Sequence, residues 1–198
     1  EILREQLWGS CYGAVITSAT LRSLGNFNTL KRETGIPDSA QFLSVAGAFN
    51  YAEAATLSVP KDCVEGNAIY EHTDYITDNL AHMVEKKAGT LVLFSSRRQM
   101  DEVFDRLDTD LQKICLVQGK YSNREMVRLH KERVDQGKTS VLVGLASFAE
   151  GVDLPGDYCK HVIIAKLPFM VPDDPLHEAL SEWIEDKGGN SFFDIALP

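Results

Sequence analysis

Five short runs of this chain, YGAVIT (12–17), TLVLFS (90–95), KICLVQ (113–118), SVLVGL (140–145) and HVIIAK (161–166), are mostly apolar at consecutive positions instead of at every second one. A strand with one face in water alternates, because successive side chains point to opposite faces; a strand apolar throughout must be covered on both. Helical stripes suited to that covering lie between several runs: Ile76, Leu80, Met83 and Val84, then Met100, Val103, Phe104 and Leu107, and after the last run Leu176, Leu180, Trp183 and Ile184. Strands alternating with helices predict βαβ units, hence a doubly wound α/β domain with a mainly parallel sheet and helices on both faces. No repeat, low-complexity tract or linker divides the chain, so residues 1–198 are expected to form one domain with an irregular extension at 35–66. No apolar run approaches the ~18 residues that cross a bilayer, and no membrane partner is expected.

Open α/β sheets bind ligands at the carboxyl ends of their strands, so the residues after each run carry the information. They read SATL after Thr17, SSRR after Phe94, GKYSNR after Gln118 and ASFAEGVDLPG after Leu145, all small, polar or glycine-rich. Ordinary turn chemistry explains each one alone; four on one rim would make a crevice lined by hydroxyls, N–H groups and arginines. The net charge of −9 opposes nucleic acid, yet residues 97–138 hold ten Lys and Arg against eight Asp and Glu. Within that stretch a helix is expected with Arg124, Arg128 and Lys131 on one face and Met126, Val127, Leu129 and Val134 on the other, a pattern that solubility alone also produces.

Other chemistries find little support. GKT at 137–139 has Glu132 where a phosphate loop needs its first glycine, and it precedes a strand rather than following one. Asp101 and Glu102 lie inside a helical pattern, the five histidines are dispersed, and neither a zinc-protease nor a hydrolase-elbow motif occurs. Cys11, Cys63, Cys115 and Cys159 stand 44 to 52 residues apart, whereas metal sites draw ligands from short turns. They read as thiols of a reducing compartment, the cytoplasm, with no metal ligands among them.

Taken in order, these loops resemble the second motor domain of superfamily-two DNA helicases of the XPD/DinG type, and in particular its bacterial DinG-like branch. TSATL (17–21) is similar to the Ser-Ala-Thr motif, VLFSSRRQM (92–100) to motif IV, VQGKYSNR (117–124) to the following Gln-Gly segment, SFAEGVDLPG (147–156) to motif V, and KLPFMVPDDP (166–175) to the connection toward motif VI. AGAFNY (46–51) departs from the Ser-Pro-Phe often found there.

The resemblance implies a RecA-like domain, single-stranded DNA as partner, and movement from 5′ to 3′. It implies backbone contacts from Thr17, Ser18, Thr20, Ser95, Ser96, Arg97, Arg98, Gln118, Arg124 and Arg128, and a nucleotide cleft bordered by Glu150, Gly151 and Asp153. Hydroxyls and N–H groups grip phosphates without a large fixed charge, which reconciles DNA binding with an acidic chain. An Asx turn before Pro155 is the other reading of Asp153. ATP and Mg²⁺ would serve the whole protein, with the phosphate loop, the acidic box and any iron–sulfur cysteines in a first motor domain before Glu1, and motif VI beyond Pro198. On that reading the chain is an excised piece, inactive as an ATPase alone. A translocase module of a nuclease or remodeller, and an inert protein-binding RecA-like domain, remain the alternatives.

Overall fold

The computed structural model describes residues 2–167 and 175–193, the side chains at 176 and 177 excepted. It divides into two compact units, residues 1–57 with 169–198, and residues 58–168.

In the first unit a π-helical turn spans Arg4–Trp8, followed by helix α1 (Asn28–Thr34) and the single turn α2 (Tyr51–Ala54). Helix α1 stops where Gly35 takes a left-handed φ of 60° and its N–H bonds to the Lys31 carbonyl at 3.0 Å. The Trp8 indole donates to the Thr34 carbonyl at 2.7 Å and ties the π-turn to the end of α1. Apolar packing is thin: Ile36 is the only buried hydrophobic residue among the described residues 2–57, and it borders a hollow of about 360 Å³ with Trp8, Leu21, Phe27 and Phe42.

Residues 12–17 correct the first expected strand. They carry no ladder, and Tyr12, Val15 and Ile16 are exposed. A strand is stable only when neighbouring backbone satisfies its N–H and C=O groups, and no such neighbour exists among the described residues.

The second unit holds the other four expected strands: β1 (Gly89–Phe94), β2 (Cys115–Val117), β3 (Ser140–Leu145) and β4 (His161–Ile164). They pair in the order β2-β3-β1-β4, every pair parallel, with Gly89 opposite Ser140, Thr90 opposite His161 and Cys115 opposite Val141. Helices α3 (Ile69–Met83), α4 (Arg97–Arg106), α5 (Thr109–Ile114), α6 (Asn123–Asp135) and the single turn α7 (Ala146–Ala149) surround the sheet. Lys113 and Ile114, expected in β2, belong instead to α5, because Asp108 accepts from the N–H groups of Asp110 and Leu111 and starts a helix that runs to Ile114.

Period two sorts the strand side chains into two cores. Val92, Phe94, Val117, Val141 and Val143 meet Ile76, Leu80, Met100 and Val103 on one face. Leu91, Leu116 and Leu142 meet Met126 and Phe148 on the other. Burial on both faces is the reason β1, β2 and β3 read as unbroken apolar runs. Edge strand β4 is different: Val162 and Ile164 are about half exposed. Farther along, helix α8 (Pro175–Asp186) belongs to the first unit; of its expected stripe Ile184 is buried, Leu180 partly buried and Trp183 half exposed.

Two histidines lock the second unit. Buried His130 of α6 donates from Nε2 to the Tyr158 carbonyl at 2.7 Å, so Nδ1 accepts from the Ser140 hydroxyl at 2.8 Å. His72 of α3 accepts at Nδ1 from Gln99 of α4 at 3.0 Å. Desolvation pushes both imidazoles below their ordinary value of 6.5. Above that pH the rings are neutral whether the chain is folded or not, and stability is full. As pH falls through 6.5 the unfolded chain takes up protons that the folded one refuses, so stability declines by up to ~1.4 kcal/mol per pH unit per ring. Urea midpoints are therefore expected to drop between pH 7.5 and 5.5, and to drop less in His130→Gln; a midpoint flat across that interval would contradict the assignment.

Candidate nucleic-acid interface

All four strands are parallel, so their carboxyl ends share one rim, and the turns after β1, β2 and β3 lie along it. Hydrogen bonds of Gln118 join the three. Its N–H donates to the Val143 carbonyl, its Oε1 accepts from the Leu145 N–H, and its carbonyl accepts from Arg97 Nη1, each at 2.9 Å. Gly119 makes room: it has φ of 100°, and a Cβ there would stand 2.9 Å from that same Arg97 nitrogen. Gln118 and Arg97 thus brace the rim, their polar groups partly committed within the protein.

The helices leaving the rim begin where serine follows the strand. Ser96 accepts from the Gln99 N–H at 3.4 Å and starts α4; Ser122 accepts from the Glu125 N–H at 3.3 Å and starts α6. In both, Ser-x-x-Gln or Ser-x-x-Glu carries the signature of a capped amino terminus. Ser95, exposed between strand and cap, has a hydroxyl without a partner among the described residues.

Most cations of residues 97–138 are engaged within the chain. Arg106 bonds Asp74 at 2.6 Å, Lys113 bonds Asp110 at 2.8 Å, and Arg133 donates to the Ile114 carbonyl at 3.1 Å. Lys120 and Lys131 lie over the rings of Phe104 and Tyr158, while Lys138 donates to Gln136. Arg128 is clamped between Glu125, at 2.7 Å, and Glu132, and these carboxylates raise its pKa further. Of the ten, Arg98 and Arg124 alone have no partner among the described residues. Both are exposed, Arg98 in the first turn of α4 and Arg124 in the first turn of α6.

A cavity of about 200 Å³ opens beside Ser95, Ser96 and Arg98, completed by Tyr70, Gly66 and Lys166. Lys166 follows β4, so the rule of strand carboxyl ends points to it as well, although the sequence offers it only as the start of the connection 166–175 and with no binding role. Tyr70 has no sequence signal; it reaches the cavity only because α3 packs beside α4.

After β3, Phe148 is buried and turns the chain so that alternate residues face in and out. Val152 and Leu154 pack against the second core; Gly151, with φ of 85°, and the carboxylates of Glu150 and Asp153 face solvent. Neither carboxylate has a partner among the described residues, so Asp153 makes no Asx turn here. Thr17, Ser18 and Thr20 belong to the first unit and follow no strand of this sheet; Ser18 Oγ accepts from the Thr20 N–H at 3.2 Å, a local turn, and Thr17 is exposed. Of the connection 166–175, residues 168–174 lie outside the described residues.

Among the described residues no three His, Cys, Asp or Glu side chains gather as a metal site, and no helix is long and apolar enough to cross a membrane. Burial pushes the Cys115 thiol up to about 12, which leaves it unreactive.

A parallel sheet with helices on both faces and motif-bearing loops on one rim defines a RecA-like α/β domain. Residues 80–198 match the helicase C-terminal domain family, and the chain belongs to it. The chain is also 42% identical to an ATP-dependent DNA helicase DinG of Photobacterium profundum, over 99% of its own length and 29% of that protein's. Against the ATP-dependent DNA helicase DinG of Escherichia coli (strain K12) the figures are 38%, 99% and 28%, and against that of Salmonella paratyphi A 36%, 100% and 28%. The chain therefore spans under a third of the length of these curated relatives.

Proposed function

We propose that this chain supplies the second motor domain of an ATP-dependent DNA helicase, gripping the backbone of single-stranded DNA along the rim of its parallel sheet and moving 5′ to 3′ in the whole protein. The observation that carries the reading is that Gln118 ties three turns together while Ser95, Arg98 and Arg124 remain free beside them. A rigid rim with unpaired hydroxyl and guanidinium groups suits phosphate oxygens and reads no base edge, as a motor that must pass over any sequence requires. Arg97 and Gln118 hold that rim, whereas Arg128 is spent on its own helix.

ATP belongs to the whole protein in this reading. No phosphate loop occurs in the 198 residues, so hydrolysis needs groups outside them. Glu150 and Asp153 would face the bound nucleotide; two unpaired carboxylates suit ribose hydroxyls, which donate, better than phosphates, which repel them. The partner across that cleft is the first motor domain of the same polypeptide. The run 12–17, apolar and outside any helix or strand, with exposed Tyr12 and Val15 and no backbone partner among the described residues, supports this, since such a run is what the edge of another sheet takes up.

The test is fluorescence anisotropy of the chain with labelled oligo(dT) across a salt series. Arg98→Ala and Arg124→Ala are each expected to weaken binding about tenfold, ~1.4 kcal/mol, and to lower the salt slope by about 0.7. Arg128→Ala should leave both unchanged. A double variant at 98 and 124 that binds like the parent, with the same slope, would remove the rim as the DNA site.

A further inference from the structure

We propose that the cavity beside the carboxyl end of β1 takes one nucleotide of the bound strand, its base stacked on Tyr70 and its phosphate held by Ser95, Arg98 and Lys166. This rests on the DNA reading above and adds to it a contact with the base.

Tyr70 lies in the first turn of α3, lines the cavity, and is 71% exposed, with no partner for its hydroxyl among the described residues. Ile69 next to it is also exposed at the cavity's edge. Neither side chain contributes to a core, so their surface is available to a flat ligand. Every base presents a π-face, and an exposed ring beside a phosphate site stacks bases without choosing among them.

The cations are set for a single phosphodiester. Gly66 lets the Lys166 stem lie across it: a Cβ there would stand 2.9 Å from Lys166 Cδ. The ammonium donates one bond to the Gly66 carbonyl at 3.1 Å and keeps two donors free. Arg98 has all its donors unused. Glu102, held by Arg106 at 3.5 Å, is the one carboxylate in the lining. Two cations against one carboxylate leave one net positive charge, which balances a phosphodiester and falls short of a nucleoside triphosphate. The volume, about 200 Å³, is below the ~300 Å³ where pockets for drug-sized ligands begin, and suits one planar group with its phosphate at the mouth.

The experiment compares oligo(dT) with an abasic oligonucleotide of equal length, which has the same phosphates and no bases, by anisotropy with the 198-residue chain. The parent should bind oligo(dT) about tenfold tighter than the abasic strand. Tyr70→Ala should bring oligo(dT) down to the abasic level and leave abasic binding as it was, while Tyr70→Trp, which keeps a ring, retains the preference. Tyr70→Ala with the parental ratio, Tyr70→Trp without it, or a parent that binds both strands equally would overturn the stacking role and leave the DNA reading standing. A parent that binds neither strand would remove both.

Discussion

Changing Gly89 to alanine is expected to unfold the parallel-sheet unit under conditions where the parent is stable. A Cβ at this first residue of β1 would overlap the carbonyl of Tyr158 and stand 2.6 Å from His130 Nε2. Neither neighbour has room to yield. The Tyr158 carbonyl is the acceptor for His130, and the other ring nitrogen is bonded to Ser140, which is paired with Gly89 itself. Relief would break the bonds of a fully buried imidazole. Overpacking costs ~1–3 kcal/mol and an unsatisfied buried polar group another ~1–3 kcal/mol, together comparable with the lower end of the ~5–15 kcal/mol by which domains are stable. Urea denaturation followed by circular dichroism checks this. Gly13→Ala, where a Cβ meets nothing within 4 Å, should stay within ~0.5 kcal/mol of the parent. A loss below ~1 kcal/mol in Gly89→Ala would mean that the contact is looser than its geometry.

Gly89 also marks where sequence reading stops. The run TLVLFS identifies a strand buried on both faces because that environment selects for apolar side chains at every position, and β1 and β3 follow within a residue of the expected bounds. Nothing in the run says that the residue just before it, where β1 begins, must lack a side chain; that need arises from Tyr158 and His130, 69 and 41 residues onward. The run YGAVIT has a similar composition and forms no strand, since composition records a tendency to be covered and is silent on whether the covering neighbour lies within these residues.

The site divides in the same way. Local spacing correctly locates the turns after β1, β2 and β3, whereas the capping roles of Ser96 and Ser122 emerge only in the structure. It does not separate Arg98 from Arg97, or Arg124 from Arg128, because an arginine's partner is set by tertiary geometry for Arg97 and by carboxylates three and four residues away for Arg128. The second of these is legible in the sequence: Glu125 and Glu132 flank Arg128 at helical spacing. Gln118 is the reverse case, a residue singled out for phosphate whose carbonyl and side-chain oxygen serve the scaffold.

Phe148→Ala tests how scaffold and chemistry are joined in the loop after β3. The ring stands so close to that strand that a Cβ on Gly144 would lie 2.9 Å from its Cβ, Cγ and Cδ1, and it is 1% exposed among Leu91, Leu116, Met126 and Leu142. Truncating it is expected to cost ~3–5 kcal/mol, the transfer of a large ring plus the cavity it leaves. The loss should not stay in the core. Val152 and Leu154 pack against that cluster and so fix the outward aim of Glu150 and Asp153, which have no bonds of their own to hold them among the described residues. Amide exchange across 150–154 should therefore accelerate even in Phe148→Leu, a milder change that leaves the unit folded. Asp153→Ala, which removes an exposed and unpaired carboxylate, should leave both stability and exchange near the parent's. If exchange at 150–154 is unchanged in Phe148→Leu, the ring does not hold the loop, and the aim of the two carboxylates must be fixed by something other than this core.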